Sequence, residues 1–176
     1  MPEIPRLRLS AYPRHTTPDY YVFTDGSGGK AGPGGWAAVV VKTADFSQPD
    51  KVLVGCATWA TIGRLEALSM MESLSYLLRV EQPIARPLHV CIITDAEYCA
   101  RLLSGDGSPR KNRDVWLGIF ELQTRLLVSA IYNSRNTHAY MELADRLSKI
   151  ARIQVAQSDA LATATVLAEP AGKEDL

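Results

Sequence analysis

Apolar and polar positions along the chain change period several times, and each change marks an element. Tyr20-Tyr21-Val22-Phe23-Thr24 is a short apolar strand, broken by a glycine-rich turn running through Gly35. Trp36–Lys42, rich in valine, and Lys51–Trp59, with Val52, Val54 and Cys56 on one face, are two further strands. Short polar connections join these three and predict antiparallel hairpins. Arg64–Val80 then switches to helical spacing, with Leu65, Leu68, Met71 (or Glu72), Ser75 and Leu78 three and four apart, and Pro83 and Pro87 enforce a stop. Leu88–Ile93 is a continuous apolar run, as in a central strand covered on both faces. Ala96–Leu103 is a short helix, Arg113–Leu126 another, Leu127–Tyr132 a fifth strand and Met141–Ile153 a last helix.

The order β-β-β-α-β-α-α-β-α predicts an α/β fold. Its core is a five-stranded mixed sheet, an antiparallel three-stranded meander plus two parallel strands, flanked by helices. Ligands of such sheets bind beyond the carboxyl ends of the strands, near the change of topology. Residues 20–153 form the expected folded domain. Residues 1–19, with four prolines, Arg6, Arg8, Arg14 and His15, read as an extended, mildly basic arm, either a disordered leader or a nucleic-acid contact. Residues 154–176 are an Ala-rich tail expected to fray.

Composition narrows the partners. The 176 residues suit one domain, and 19 basic against 19 acidic residues leave a formal net charge of +0. There is no global attraction to nucleic acid or anionic membrane, so polyanion binding must come from local patches and metal ions. Cys56, Cys91 and Cys99 are odd in number and lack paired spacing, so they read as buried free thiols in a reducing, cytoplasmic setting. No stretch approaches the ~20 apolar residues of a membrane helix, and the first residues lack the apolar core of a signal peptide.

Four acids stand where a packed core would not choose a charge. Asp25 and Asp95 end apolar strands, while Glu66 and Asp145 open helical segments. Singly, each reads more simply as a turn residue or as a complement to a helix dipole. Together they can converge on one point, where their mutual repulsion requires a divalent cation. Hard carboxylate oxygens suit magnesium or manganese, and no Cys/His cluster has zinc spacing. Two such ions about 3.5–4 Å apart can drive in-line phosphoryl displacement.

The set has a recognisable order. Thr24-Asp25-Gly26-Ser27, Thr61-Ile62-Gly63-Arg64-Leu65-Glu66, Thr94-Asp95-Ala96-Glu97-Tyr98, Lys111-Asn112-Arg113-Asp114-Val115-Trp116 and His138 followed by Ala144-Asp145-Arg146-Leu147-Ser148 resemble type 1 ribonuclease H. The resemblance spans Tyr20 to about Arg152. It implies a ribonuclease H-like fold and a magnesium-dependent endonuclease; a monomer is expected separately. Such an enzyme cuts the RNA strand of RNA–DNA hybrids and leaves 5′-phosphate and 3′-hydroxyl ends. It also implies roles: Asp25 would bridge two Mg2+ ions, Asp145 would hold the nucleophile-side ion, and Glu66 and Asp95 the other. His138 would assist proton movement or product release; otherwise it is a surface loop histidine. Gly26, Ser27 and Gly28 would let backbone approach the RNA, and Thr61 and Asn112 would hold a DNA-strand phosphate. Trp116 would pack near that strand, or is equally a core residue.

The departures concern recognition. Ile62 and Gly63 replace asparagines that reach the hybrid's minor groove, Ala96 replaces a serine, and Trp59 stands where an arginine sometimes pairs with the phosphate-binding threonine. Ser104–Arg110 is too short for the basic protrusion of many relatives, leaving Arg110, Lys111 and Arg113 near it. Weak or salt-sensitive binding is therefore expected. Two other readings stay open: a nuclease of this fold acting on another nucleic acid, and a non-catalytic nucleic-acid-binding module.

Overall fold

The structure is a computed structural model that describes residues 17–81, 86–133 and 138–168, with side chains up to Asp159. Most of the N-terminal arm and residues 169–176 lie outside the described residues, as does Pro83. The elements are β1 (Tyr20–Ser27), β2 (Gly32–Lys42), β3 (Lys51–Ala60), α1 (Ile62–Val80), β4 (His89–Thr94), α2 (Glu97–Leu103), α3 (Arg113–Leu122), β5 (Leu127–Tyr132) and α4 (Ala139–Ala168).

The five strands form one sheet in the order β3-β2-β1-β4-β5. β1 pairs antiparallel with β2 and parallel with β4, and β4 pairs parallel with β5. The expected mixed sheet is what forms. Because β3 also runs antiparallel to β2, strands β1, β3, β4 and β5 all end at one edge, and the site lies there.

Alternation along the strands sorts side chains onto two faces. Tyr20, Val22, Ala38, Val40, Val90 and Ile92 join Met70, Leu74 and Leu77 of α1 and Trp116 and Ile119 of α3 in the larger core. Phe23, Ala37, Val39, Val41, Cys91 and Ile93 pack beneath Met141 and Ala144 of α4. β4 is buried along its whole length, as its unbroken apolar run requires.

Several boundaries differ from the sequence reading. β1 does not stop at Thr24: Asp25, Gly26 and Ser27 stay in register with Ala37, Trp36 and Gly35. The glycines therefore extend the strands rather than forming the turn. α3 ends at Leu122 because Thr124 and Arg125 turn the chain back, and Leu127 then bonds to the Leu88 carbonyl to start β5. α4 continues past Ile153 to Ala168. Val54 and Cys56 are exposed, because β3 is an edge strand covered incompletely by α4; only Cys91 and Cys99 are buried thiols. No helix among the described residues is long and apolar enough to cross a membrane.

Candidate active site

Asp25, near the end of β1, is 2% exposed; Glu66, in the second turn of α1, is 5% exposed. Asp95 follows β4 directly. Parallel pairing sets Thr24 beside Thr94, so the two aspartates leave adjacent strands together. One carboxylate oxygen from each of Asp25, Glu66 and Asp95 lies within 4.8 Å of the others. Three like charges with two nearly sealed from water repel strongly unless protons or a cation offset them.

Two glycines make this convergence possible, one for each face of the sheet. A Cβ on Gly26 would stand 2.7 Å from the Glu66 backbone nitrogen, so only glycine lets α1 approach β1 closely enough. On the opposite face a Cβ on Gly35 would stand 2.2 Å from the Ser148 carbonyl oxygen, so α4 closes there by the same means. That approach delivers Ser148, whose hydroxyl donates to Asp25 Oδ2 at 2.5 Å and also lies 2.9 Å from the Asp145 carbonyl.

Asp145 is on α4 outside the three-acid cluster, and its Oδ2 accepts a 2.6 Å bond from Lys149 Nζ one turn later. His138 is also outside it. The imidazole stacks on Phe23 at 4.8 Å between centroids, and Nδ1 accepts from the Tyr140 N–H while the His138 carbonyl accepts from Met141 and Glu142. It is thus the N-cap of α4, with its ring proton on Nε2. Phe23 precedes Asp25 by two residues, about 7 Å along an extended strand.

The donor set fits a hard divalent cation. Cys99 borders the cluster, but burial, reinforced by the Glu66 and Asp95 charges, pushes its thiol pKa up and keeps it protonated. No soft thiolate is available there, whereas carboxylate oxygens suit magnesium and manganese.

No family model matches the chain. Individual relatives do. Ribonuclease H of Methylococcus capsulatus is 26% identical over 159 residues, 82% of this chain and 96% of the relative. Ribonuclease H of Nitratidesulfovibrio vulgaris (strain DP4) is 31% identical over 126 residues, 63% of this chain and 74% of the relative. The chain belongs to the ribonuclease H family. Solved structures carry the same fold. The N-terminal ribonuclease H domain of a Mycobacterium tuberculosis protein superimposes with a TM-score of 0.67 at 19% identity, covering 81% of this chain and 99% of that one. LC11-RNase H1 in complex with an RNA/DNA hybrid gives 0.67 at 16% identity, covering 77% and 97%.

Seen as a ribonuclease H fold, the remaining positions divide clearly. Thr61 is the exposed N-cap residue of α1, and Asn112, at φ 53°, opens α3. Asn112 Nδ2 comes within 3.9 Å of the Cβ position of Gly63, and the two helix starts are clamped by Arg64, which makes paired bonds of 2.9 and 2.6 Å to Asp114. Trp116 is fully buried in the larger core and offers no surface to a nucleic acid, which corrects its reading as a strand contact. Gly26 and Ser27 are also buried, and the space left by Gly26 is filled by α1 rather than facing a ligand. Gly28 is half-buried, against the Leu65 side chain. Sequence reasoning missed Gly35 as a site residue; its only signal was a place among several glycines. The capping role of His138 was legible only in its position before a helical run.

Proposed function

We propose that this chain is a divalent-metal-dependent endonuclease that hydrolyses the RNA strand of RNA–DNA hybrids, leaving 5′-phosphate and 3′-hydroxyl ends. The observation that carries the reading is the convergence of buried Asp25 and Glu66 with half-buried Asp95 at the carboxyl edge of the sheet. Membership of a family whose curated relatives are named ribonuclease H supports it, as does the fold shared with an RNase H1 solved on an RNA/DNA hybrid.

Asp25, Glu66 and Asp95 would hold Mg2+, with Mn2+ able to substitute, and Asp145 would complete a two-ion site. Bound there, the metal supplies an activated water and charge stabilisation at the leaving oxygen. Ser148 fixes the rotamer of Asp25, and the close approach at Gly26 fixes Glu66 against it. His138 would move a proton through Nε2, since Nδ1 is engaged by the cap. Thr61 at the start of α1 and Asn112 at the start of α3 would hold a substrate phosphate. We take the working protein to be monomeric and cytoplasmic, in keeping with buried thiols at Cys91 and Cys99.

The test compares labelled RNA–DNA hybrid, duplex RNA and duplex DNA, with and without magnesium, for the wild type and Asp95→Asn. Magnesium-dependent cutting of the hybrid's RNA strand alone, lost in the variant, is the expected result. Cutting of duplex DNA or duplex RNA in preference to hybrid, or no cutting at all, overturns the proposal.

A further inference from the structure

β3 closes the sheet order on one side, and among the described residues no strand pairs with it beyond β2. It is ten residues long, with one charge, Lys51, and no proline. Val54 is 47% exposed and Trp59 75%, and Cys56 between them is exposed as well. Val54 and Cys56 stand opposite Ala37 and Gly35, so they share the face that α4 covers. A long apolar edge with neither proline nor charge along its length is a template for one more strand. The opposite edge, β5, is only six residues long.

The sequence holds a segment of the matching kind. Residues 6–12 read Arg-Leu-Arg-Leu-Ser-Ala-Tyr, between Pro5 and Pro13. Leu7, Leu9 and Ala11 alternate with Arg8 and Ser10, the two-residue period of a strand with one apolar side. The flanking prolines fix its length and bar it from the interior of a sheet. Arginines and prolines are also what guards an edge against further pairing. β3 lacks those guards, and this segment carries them.

The entry of the chain into β1 brings the two together. Thr43, directly after β2, donates its hydroxyl to the Pro18 carbonyl at 2.6 Å and its N–H to the Asp19 carbonyl at 3.0 Å. Arg86 pairs with the Asp19 carboxylate from the β4 side. The chain thus reaches β1 beside the β2–β3 hairpin. From β1 to a position outside β3 is three strand spacings, ~14 Å at ~4.8 Å each. Residues 13–18 can span up to ~20 Å, which is enough. β1 and β3 run in the same direction. A strand returning to the start of β1 through this link therefore runs antiparallel to β3.

We infer that residues 6–12 pair antiparallel with the outer side of β3 as a sixth strand, laying Leu7, Leu9 and Ala11 beside Val54 and Cys56. The short link holds the segment at an effective concentration on the order of millimolar, so it outcompetes the β3 edge of a second copy at ordinary protein concentrations. The arm then belongs to the fold, whatever the chain cuts.

The test is amide hydrogen exchange along β3 in the full chain, at two protein concentrations, for the wild type, Leu9→Pro and Ser10→Pro. In an antiparallel ladder only alternate residues turn their N–H to the neighbouring strand, so one of these two prolines removes a bond to β3 and the other faces solvent. The β3 amides that point away from β2 should be protected in the wild type at both concentrations. One proline variant should speed their exchange about tenfold or more, and the other should leave most of the protection. Rapid exchange of those amides in the wild type overturns the sixth strand. Protection that survives both prolines also overturns it, and if that protection falls on dilution the occupant is a second copy. Equal release by both prolines overturns the ladder, leaving an apolar cover without strand pairing.

Discussion

The Ser148 hydroxyl donates a hydrogen bond to Asp25 Oδ2, joining the long helix α4 to the strand that carries the central acid. Ser148 is fully buried, so no water can take its place as donor. Ser148→Ala should cost about 1.5–3 kcal/mol of stability, the usual range for a bond to a charged group, and lower hybrid cleavage roughly tenfold as Asp25 loses its fixed rotamer. A variant matching the wild type in both denaturant midpoint and rate would show that the bond contributes nothing.

Gly26→Ala tests the close approach of α1. The added methyl would sit 2.7 Å from the Glu66 nitrogen, against backbone that cannot rotate away. The expected loss is about 1–3 kcal/mol from overpacking, with cleavage reduced by more than tenfold because Glu66 is pushed away from Asp25. Full activity in Gly26→Ala would mean that the helix does not set the acid's position.

His138 can be split into its two parts. His138→Ala removes both the cap on α4 and Nε2, whereas His138→Asn restores a good N-cap. Thermal unfolding should show Asn recovering about 1 kcal/mol over Ala, with cleavage equally reduced in both. If Asn recovers the rate along with the stability, the imidazole acts only as a cap.

Metal binding should register without any catalysis. Because binding to the folded state stabilises it by mass action, magnesium should raise the wild-type melting temperature. Asp95→Asn should be more stable than the wild type in chelator, having lost a repelling charge, and should gain less from magnesium. Equal magnesium shifts in the two proteins would place the ion elsewhere.

Asp19 gives the fold an acid-sensitive tie. Burial pushes its pKa up, but the Arg86 hydrogen bond and the His89 N–H outweigh it and hold the value below the usual 3.8. A depressed folded value means that the stabilisation is present above about pH 4 and is lost as pH falls through the folded pKa. Asp19→Asn should therefore cost on the order of 1 kcal/mol at neutral pH, after discounting for screening, and the difference should shrink below pH 4. A pH-independent difference would assign the effect to packing.

Element types were legible because each carries its own apolar pattern, from the unbroken run of β4 to the three-and-four spacing of α1. Boundaries failed where tertiary contacts override local propensity. Gly26-Ser27-Gly28 reads as a turn from composition, yet two helices closing over Gly26 and Gly35 keep the first two residues in the sheet. Asp25, Glu66 and Asp95 were legible as charges ending or opening apolar segments, and the structure brings them together. Trp116 was not resolved by sequence, since a helical tryptophan at core spacing looks the same whether it faces the interior or a ligand.

The parallel pairing of β1 with β4 has a consequence for the order of events in folding. Asp25 and Asp95 become neighbours only after the whole hairpin region and α1 have crossed over to let β4 dock. Parallel pairing is the slow, non-local step of such a topology. A nascent or partly unfolded chain therefore has dispersed acids and no nuclease, and cutting power arrives together with the completed sheet.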